Sequence, residues 1–249
     1  MRIPSPSSVT YKESKGNVTE IAIEPCYPGY GVTLGNTLRR VLLSSLPGAA
    51  VFAVKINGIQ HEYDTLPMVK EDIVEILMNL KKLRLMVHSD EPVTIELSAK
   101  GEKEVTAGDI KKNAQCEVVN KDLVIATLTD KKAELSMEIM VKKGIGYEPI
   151  EERVVEKKEI GVIQIDSIFS PILNVGMNID HVRVGQRTDY ERVVLTVTTD
   201  GSCTAQEAMT DSIAIIEEQF GAISEASSEK KEKVNKKEKV EEVTEPAAE

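Results

Sequence analysis

Few residues in this sequence combine the types and the spacing that catalysis or metal binding requires. His61 and Glu62, with Asp64 nearby, resemble a metal-ligand or acid–base cluster, because an imidazole beside carboxylates can hold a cation or share a proton. No second ligand motif accompanies them, and the chain contains no GxxxxGK[ST], HExxH, GxSxG or DxD sequence. A surface loop is therefore the favoured interpretation, and no residue is nominated as catalytic, cofactor-binding or metal-binding.

The adjacent arginines Arg39 and Arg40 are stronger candidates for a chemical role. They lie in the stretch GYGVTLGNTLRRVLLSSLPG, residues 29–48, and interrupt an apolar stripe that has helical spacing. The stem of one arginine can cover apolar surface while its charged head stays in water. Two adjacent side chains point about 100° apart on a helix, so at least one must face something other than the helix's own core. We expect that to be a protein partner.

The helix that positions these arginines has signals at both ends. Thr33 is the expected N-cap, and Pro47-Gly48 is expected to end the helix. The apolar stripe consists of Leu34, Leu38, Val41, Leu42 and Leu46.

Two further helices are predicted from the same periodicity. Pro67 lies near the start of the second, and Glu71 and Asp72 are expected in its first turn. The third begins at the capping-box sequence TAQE, residues 204–207, and is expected to end at Gly221. The apolar positions of the second helix are Val69, Ile73, Ile76, Leu77 and Leu80. The stripe of the third helix consists of Met209, Ser212, Ile213, Ile216 and Phe220.

Most other segments are predicted as strands, which gives a mixed α/β chain. The predicted strands cover residues 18–24, 50–56, 93–98, 116–119, 123–128, 133–143, 161–166, 180–185 and 191–199. The polar stretch EPIEERVVEKKEIG is predicted as a surface loop, and the Lys/Glu-rich residues 225–249 as a charged tail, disordered or a frayed helix. The first and third helices have two open interpretations: each covers its own sheet, or its remaining apolar residues meet a second copy of the chain.

Composition limits the classes of function. With 249 residues, 41% of them hydrophobic, the chain can form one large domain or two of ordinary size. The net charge of -10 argues against binding a nucleic-acid backbone on its own. Three distant cysteines predict neither a disulfide framework nor a metal knuckle, and no apolar run is long enough to cross a bilayer. A cytoplasmic protein is therefore expected.

Three long segments resemble the signature segments of bacterial RNA polymerase alpha subunits. They are GYGVTLGNTLRRVLLSSLPGAAV at 29–51, HEYDTLPMVKEDIVEILMNLKKL at 61–83 and RVGQRTDYERVVLTVTTDGSCTAQEA at 183–208. Their order and approximate spacing match the family, and the likeness extends over nearly all of residues 15–224.

The resemblance implies an α+β fold with a discontinuous dimerisation domain, made of a sheet and two long helices, and an inserted β-rich domain. Mapped onto this chain, residues 1–47 and 174–224 would form the dimerisation domain and residues 48–173 the insertion. The family's dimer is made mainly by the first and last helices. The dimer interface is accordingly expected to include Leu34, Leu38, Leu42, Leu46, Met209, Ile213, Ile216 and Phe220.

The same resemblance implies a non-catalytic subunit of a DNA-directed RNA polymerase, a nucleotidyltransferase. Its homodimer would be the platform on which the beta and beta-prime subunits assemble, and DNA would be met only through the complex. No cofactor is expected on this chain, because the magnesium and zinc ions of the complete enzyme would belong to other subunits. The residues expected to contact beta are Arg39, Arg40, His61, Glu62, Glu71 and Asp72, with the family's docking arginine aligned at Arg40.

The sequence departs from the family pattern at three places. Met68 stands where the family commonly has Gly, and Lys82 follows Lys81 where a Lys-Gly turn is usual, so a positive φ at Lys82 would be strained. The chain ends in its charged tail, which predicts that the family's DNA-binding C-terminal domain is absent from it. The alternative function is a free-standing homodimeric regulatory or binding protein of the same fold.

Overall fold

The computed structural model of the chain describes residues 3–14, 16–153 and 161–241. Within them the chain forms fourteen strands and three helices, an α+β architecture built mostly of sheet, as the sequence predicts. The helices are α1 (Tyr30–Ser44), α2 (Ile73–Leu80) and α3 (Ala205–Glu241). The strands are β1 (Ser8–Glu13), β2 (Val18–Cys26), β3 (Pro47–Ile56), β4 (Leu85–Val87), β5 (Val93–Lys100), β6 (Lys103–Thr106), β7 (Cys116–Val118), β8 (Val124–Leu128), β9 (Glu134–Ile145), β10 (Tyr147–Glu148), β11 (Val162–Gln164), β12 (Ser167–Ile168), β13 (Ile172–Val184) and β14 (Arg187–Thr199).

The first and last parts of the chain share one antiparallel sheet, in the order β1-β2-β14-β13. Helix α1 packs on β13 and β14, and α3 contacts both α1 and β14. We call this assembly of four strands and two helices the two-helix unit. A β-carbon added at Gly35 would lie 2.6 Å from the sulfur of Met177, so the glycine allows α1 to lie close against β13. All buried residues of the unit's core cluster come from residues 21–46 and 172–209.

The middle of the chain forms a second sheet, in the order β11-β3-β9-β5. The two-stranded ribbons β4-β7 and β6-β8 and the helix α2 complete this part, which we call the sheet unit. Along β5 and β9 buried apolar residues alternate with more exposed ones, as expected for antiparallel strands with one face on a core. Its core cluster is made of buried residues between positions 51 and 165.

The first helix begins earlier than the sequence predicted. Its N-cap is Gly29 rather than Thr33, because the carboxylate of Glu191 on β14 accepts hydrogen bonds from the backbone N–H groups of Gly29 and Gly31. The helix ends at Ser44, and β3 starts at Pro47, where the end of the helix was expected.

The second helix is shorter than predicted at its start. Pro67 and Val69 lie outside it, and Val69 instead forms a β-bridge with Leu128. Glu71 is also outside the first turn, since its carboxylate accepts hydrogen bonds from the N–H and hydroxyl of Thr127, at 2.6 and 2.8 Å.

The third helix has the predicted start but not the predicted end. Thr204 and Glu207 form the reciprocal hydrogen bonds of a capping box, which confirms that prediction. The helix continues past Gly221 to Glu241, so it includes the part of the predicted tail up to that residue. Residues 242–249 lie outside the described residues.

Several strands were not predicted, because they lack an apolar pattern or are very short. Strand β1 is almost entirely exposed, and β4, β6, β10 and β12 have four residues or fewer. Of the predicted surface loop, residues 150–152 form a 3₁₀ turn and residues 154–160 lie outside the described part. Met68 has a positive φ of 64°, whereas no positive φ occurs at Lys82, so the strain considered there is absent.

Candidate interaction surfaces

The two arginines of α1 point away from the sheet that the helix covers. Leu38 and Leu42 on the same helix are buried, whereas Arg39 and Arg40 are exposed. Among the described residues neither guanidinium group has a hydrogen bond or ion pair. The helix therefore presents two unpaired planar cations, each able to bind a carboxylate through two parallel hydrogen bonds.

The segment 61–72 provides only some of the side chains that its predicted contact role requires. His61 and Asp72 are exposed, and Glu62 is half-buried. Glu71 is engaged inside the sheet unit through Thr127, so it holds the start of α2 against β8. A hydrogen bond with Glu62 raises the pKa of the neighbouring Tyr63 hydroxyl.

Apolar residues of the same region are exposed, and the sequence interpretation did not include them. Tyr63 is 79% exposed, and Met68, Val74 and Met78 are each about half exposed. Val74 and Met78 lie four residues apart, off the buried stripe of α2. This four-residue spacing, which places both side chains on the outer face of the helix, was the sequence signal that could have predicted their exposure.

A second exposed apolar group lies where α1 ends, and we call it the α1-end patch. It consists of Leu43, Ile145, Tyr147 and Ile168, of which Ile145 and Tyr147 are about 60% exposed. Tyr147 pairs with Ile168 between β10 and β12, and Ile145 pairs with Pro47 at the start of β3. Leu43, the member of this patch that belongs to α1, lies about one helical turn after Arg40. Exposed apolar groups of this kind are typical of protein contacts.

The predicted dimer residues fall into three groups by burial. Leu38, Leu42, Leu46 and Met209 are buried in the core of the two-helix unit. Leu34 and Ile216 are partly buried against that core. The exposed members are Ile213 and Phe220.

Helix α3 carries an apolar stripe that the described chain leaves uncovered. Ile213, Phe220 and Ile223 are 43%, 62% and 64% exposed, and they are spaced by seven and then three residues. Residues separated by seven or by three positions lie on the same side of an α-helix, as in a coiled-coil seam. Ile223, which extends this stripe past Gly221, was not predicted because the helix was expected to end there.

The described residues contain no group of three or more His, Cys, Asp or Glu side chains placed to hold a metal ion. Cys26, Cys116 and Cys203 are free thiols, and burial raises the pKa of Cys116 and of Cys203 to about 11. None of the described helices is long and apolar enough to cross a membrane.

Comparison with known proteins gives one family match and many similar relatives. The family model described as "RNA polymerase Rpb3/RpoA insert domain" matches residues 54–170, which cover most of the sheet unit. The chain is 52% identical over 199 residues to the protein of Symbiobacterium thermophilum named DNA-directed RNA polymerase subunit alpha, covering 80% of this chain and 63% of that protein.

Two further relatives carry the same name. The protein of Desulforamulus reducens is 47% identical over 219 residues, which are 88% of this chain and 69% of that protein. The protein of Alkaliphilus metalliredigens is 44% identical over 232 residues, 90% of this chain and 73% of that protein. The chain thus spans between about three fifths and three quarters of the length of these relatives.

Proposed function

Because this chain belongs to the family of bacterial DNA-directed RNA polymerase alpha subunits, we propose that it is an assembly subunit of that polymerase. Its homodimer is the platform on which the large beta and beta-prime subunits assemble into the enzyme that transcribes DNA into RNA. The large subunits supply the catalytic residues and bound metal ions, and this chain supplies binding surfaces.

The docking surface for beta is centred on Arg39 and Arg40. The observation that carries this proposal is their exposure, without a partner among the described residues, on a helix whose opposite face is buried. An exposed guanidinium with no internal partner keeps its donors for another chain. Carboxylates on beta are the matching groups, since the arginine fork binds them with two hydrogen bonds.

Two apolar regions extend this docking surface. The α1-end patch adjoins the arginines at Leu43, and the exposed residues Tyr63, Met68, Val74 and Met78 lie in the same part of the sequence as the predicted contact residues His61, Glu62 and Asp72. Large interfaces combine buried apolar anchors with charged groups at specific positions. The carboxylate of Glu71 is already bound to Thr127. Glu71 therefore supports this surface indirectly, by holding the start of α2 against β8.

The homodimer is formed through the exposed stripe of α3. Ile213, Phe220 and Ile223 supply apolar area that the chain's own core does not cover. A stripe on one helix can pair with the same stripe of a second copy across a two-fold axis. The buried residues Leu38, Leu42, Leu46 and Met209 hold α1 and α3 in place behind this surface.

The proposal is tested by capture of polymerase subunits from cell extract with the tagged chain. We expect the wild type to recover beta and beta-prime, and Arg40→Ala to remain dimeric but bind beta more weakly by about 2 kcal/mol, or about thirtyfold. The double variant Arg39→Ala/Arg40→Ala is expected to recover neither large subunit.

The matched control is Lys131→Ala/Lys132→Ala, which removes two adjacent exposed cations from the turn before β9. This control should capture both large subunits as the wild type does. A wild-type homodimer that recovers no large subunit would favour a free-standing binding protein of the same fold. Loss of the dimer in Arg40→Ala would contradict the outward, partner-facing position assigned to the arginine.

A further inference from the structure

A cavity of about 550 Å³ opens in the sheet unit, and none of its lining residues belongs to the surfaces described above. It lies between β5, the 3₁₀ turn at residues 107–109 and the β4-β7 ribbon. Its volume is within the range of about 300–1,000 Å³ that is usual for small-molecule sites.

The floor of this cavity is apolar and uncharged. Ile95, Ala107, Ile110 and Cys116 line it, and all four are buried in the core of the sheet unit. Burial raises the pKa of the Cys116 thiol to about 11, so the sulfur is protonated at neutral pH. A ligand on this floor gains free energy from removing its own apolar surface from water.

The rim of the cavity is cationic, although the whole chain has a net charge of -10. Lys111 is engaged by Glu96, with 2.6 Å between the ammonium and a carboxylate oxygen. Lys121 lies 4.0 Å from Glu117, a weaker contact, and Lys112 has no ion pair among the described residues. The ammonium of Lys112 is therefore available to a ligand, and that of Lys121 becomes available when a ligand replaces its exposed contact with Glu117, whose carboxylate also lines the cavity.

Backbone hydrogen bonds hold the walls that carry these lysines. The N–H of Gly108 donates to the carbonyl of Lys121, and the N–H of Lys111 donates to the carbonyl of Glu96, each at 2.9 Å. The N–H of His88 donates to the carbonyl of Gln115, also at 2.9 Å. A site whose walls are fixed before binding loses less conformational entropy when a ligand enters.

We propose that this cavity binds a small organic phosphate monoester, with its apolar body on the floor and its phosphate between Lys112 and Lys121. The ammonium groups of Lys112 and Lys121 together match the double negative charge of a phosphate monoester, which competes with the single carboxylate of Glu117 for Lys121. The apolar floor distinguishes the site from a surface that only attracts anions. This inference is independent of the assembly role, because it uses none of the residues assigned to docking or dimerisation.

The test uses the full chain labelled with ¹⁵N and titrated with phenyl phosphate, followed by amide chemical shifts. Parallel titrations use inorganic phosphate and phenol, which are the two halves of the probe. We expect saturable shifts in residues 107–121, and binding of phenyl phosphate at least tenfold tighter than that of either half. Equal binding of inorganic phosphate, or shifts confined to other residues, would overturn the proposal.

Two variants test the two parts of the site separately. Lys112→Glu/Lys121→Glu reverses the rim charge and is expected to weaken phenyl phosphate binding at least tenfold. Ala114→Phe places a bulky side chain at an exposed lining position and should weaken binding to a similar extent with no change in charge. The control Lys131→Glu/Lys132→Glu makes the same charge change outside the cavity. Wild-type affinity in both site variants, with their spectra still those of a folded chain, would rule the site out.

Discussion

The carboxylate of Glu191, on strand β14, caps the start of helix α1. Its two oxygens each accept a hydrogen bond, from the backbone N–H groups of Gly29 and Gly31, both at 2.9 Å. Helix α1 has no side-chain cap of its own, so this strand residue satisfies N–H groups that the helix cannot, and its charge suits the helix N-terminus.

We therefore expect Glu191→Ala to lower the free energy of unfolding by about 1–2 kcal/mol. Urea denaturation followed by circular dichroism measures this change. Glu134→Ala is the control, because it removes only an exposed ion pair with Lys100 and should cost less than about 1 kcal/mol. Equal stability of the wild type and Glu191→Ala would show that the cap contributes nothing.

Asp166 is a second residue with an individual effect on stability, and this effect depends on pH. One of its oxygens accepts a hydrogen bond from the ammonium of Lys81 at 2.9 Å, and the other accepts from the N–H of Ile150 at 3.1 Å. The hydrogen bond from Lys81 and that from the Ile150 backbone hold the pKa of this carboxyl below its ordinary value of 3.8. A carboxyl with a lowered pKa in the folded state stabilises the fold only while it is ionised.

The contribution of Asp166 is therefore present above its unfolded pKa near 3.8 and lost as the pH falls through the lower, folded value. We expect Asp166→Asn to be less stable than the wild type by a constant amount above about pH 5. The difference should shrink as the pH falls below about 4. Urea midpoints measured from pH 7 to pH 3 test this, and a difference that does not change with pH would contradict the ionic role of Asp166.

At the scale of helices, the exposed stripe of α3 predicts which changes affect the dimer and which affect the fold. Phe220 is 62% exposed, so Phe220→Asp should leave the monomer fold intact while raising the Kd of the dimer by about thirtyfold, or about 2 kcal/mol. Gln219→Asp adds the same charge at the neighbouring position, about 100° around the helix, and should change the Kd little.

Sedimentation velocity over a range of concentrations gives both Kd values. Met209→Asp provides the contrast, because Met209 is buried in the core of the two-helix unit and a carboxylate there should prevent folding. An unchanged Kd in Phe220→Asp would remove the α3 stripe from the proposed interface.

The helices also show how far the sequence could predict the structure. Periodicity located all three helices, and the capping box fixed the start of α3, because those signals are local in sequence. The start of α1 was mispredicted because its cap comes from Glu191, 160 residues beyond Gly31. Glu71 was placed in α2 for a similar reason, since its partner Thr127 is 56 residues away.

The candidate site was predictable only in part. The sequence predicted that at least one of Arg39 and Arg40 faces away from the core of its own helix, and both side chains are exposed. Burial was not predictable in the same way, because Leu42 and Phe220 both belong to apolar stripes although one is buried in the core and the other is exposed. Periodicity identifies an apolar face but does not show whether that face covers the chain's own sheet or a second copy.

At the scale of the whole molecule, the two core clusters share no residues. One is built from residues 21–46 and 172–209, and the other from residues between 51 and 165. The chain enters and leaves the sheet unit at adjacent points. A β-carbon added at Gly48 would collide with the carbonyl oxygen of Phe169, and the hydroxyl of Ser170 donates a hydrogen bond to the carbonyl of Leu43 at 3.3 Å.

We propose that the sheet unit is a domain inserted into the two-helix unit, with boundaries near residues 48 and 173. Replacing residues 49–168 with a short Gly/Ser linker should then leave a chain that folds and still dimerises through α3, because neither its core nor its exposed stripe is cut. Residues 49–168 expressed alone should fold for the same reason.

Circular dichroism, amide spectra and sedimentation of the two fragments test this division. The control deletion removes residues 57–133, which takes away α2 and β4–β8 and cuts through the core of the sheet unit, so we expect it to disrupt that unit. If the linker variant were unfolded while residues 49–168 remained folded, the two-helix unit would need the sheet unit to fold. The platform for the large subunits would then be one cooperative body, and docking variants in either unit would have to be interpreted through their effect on both.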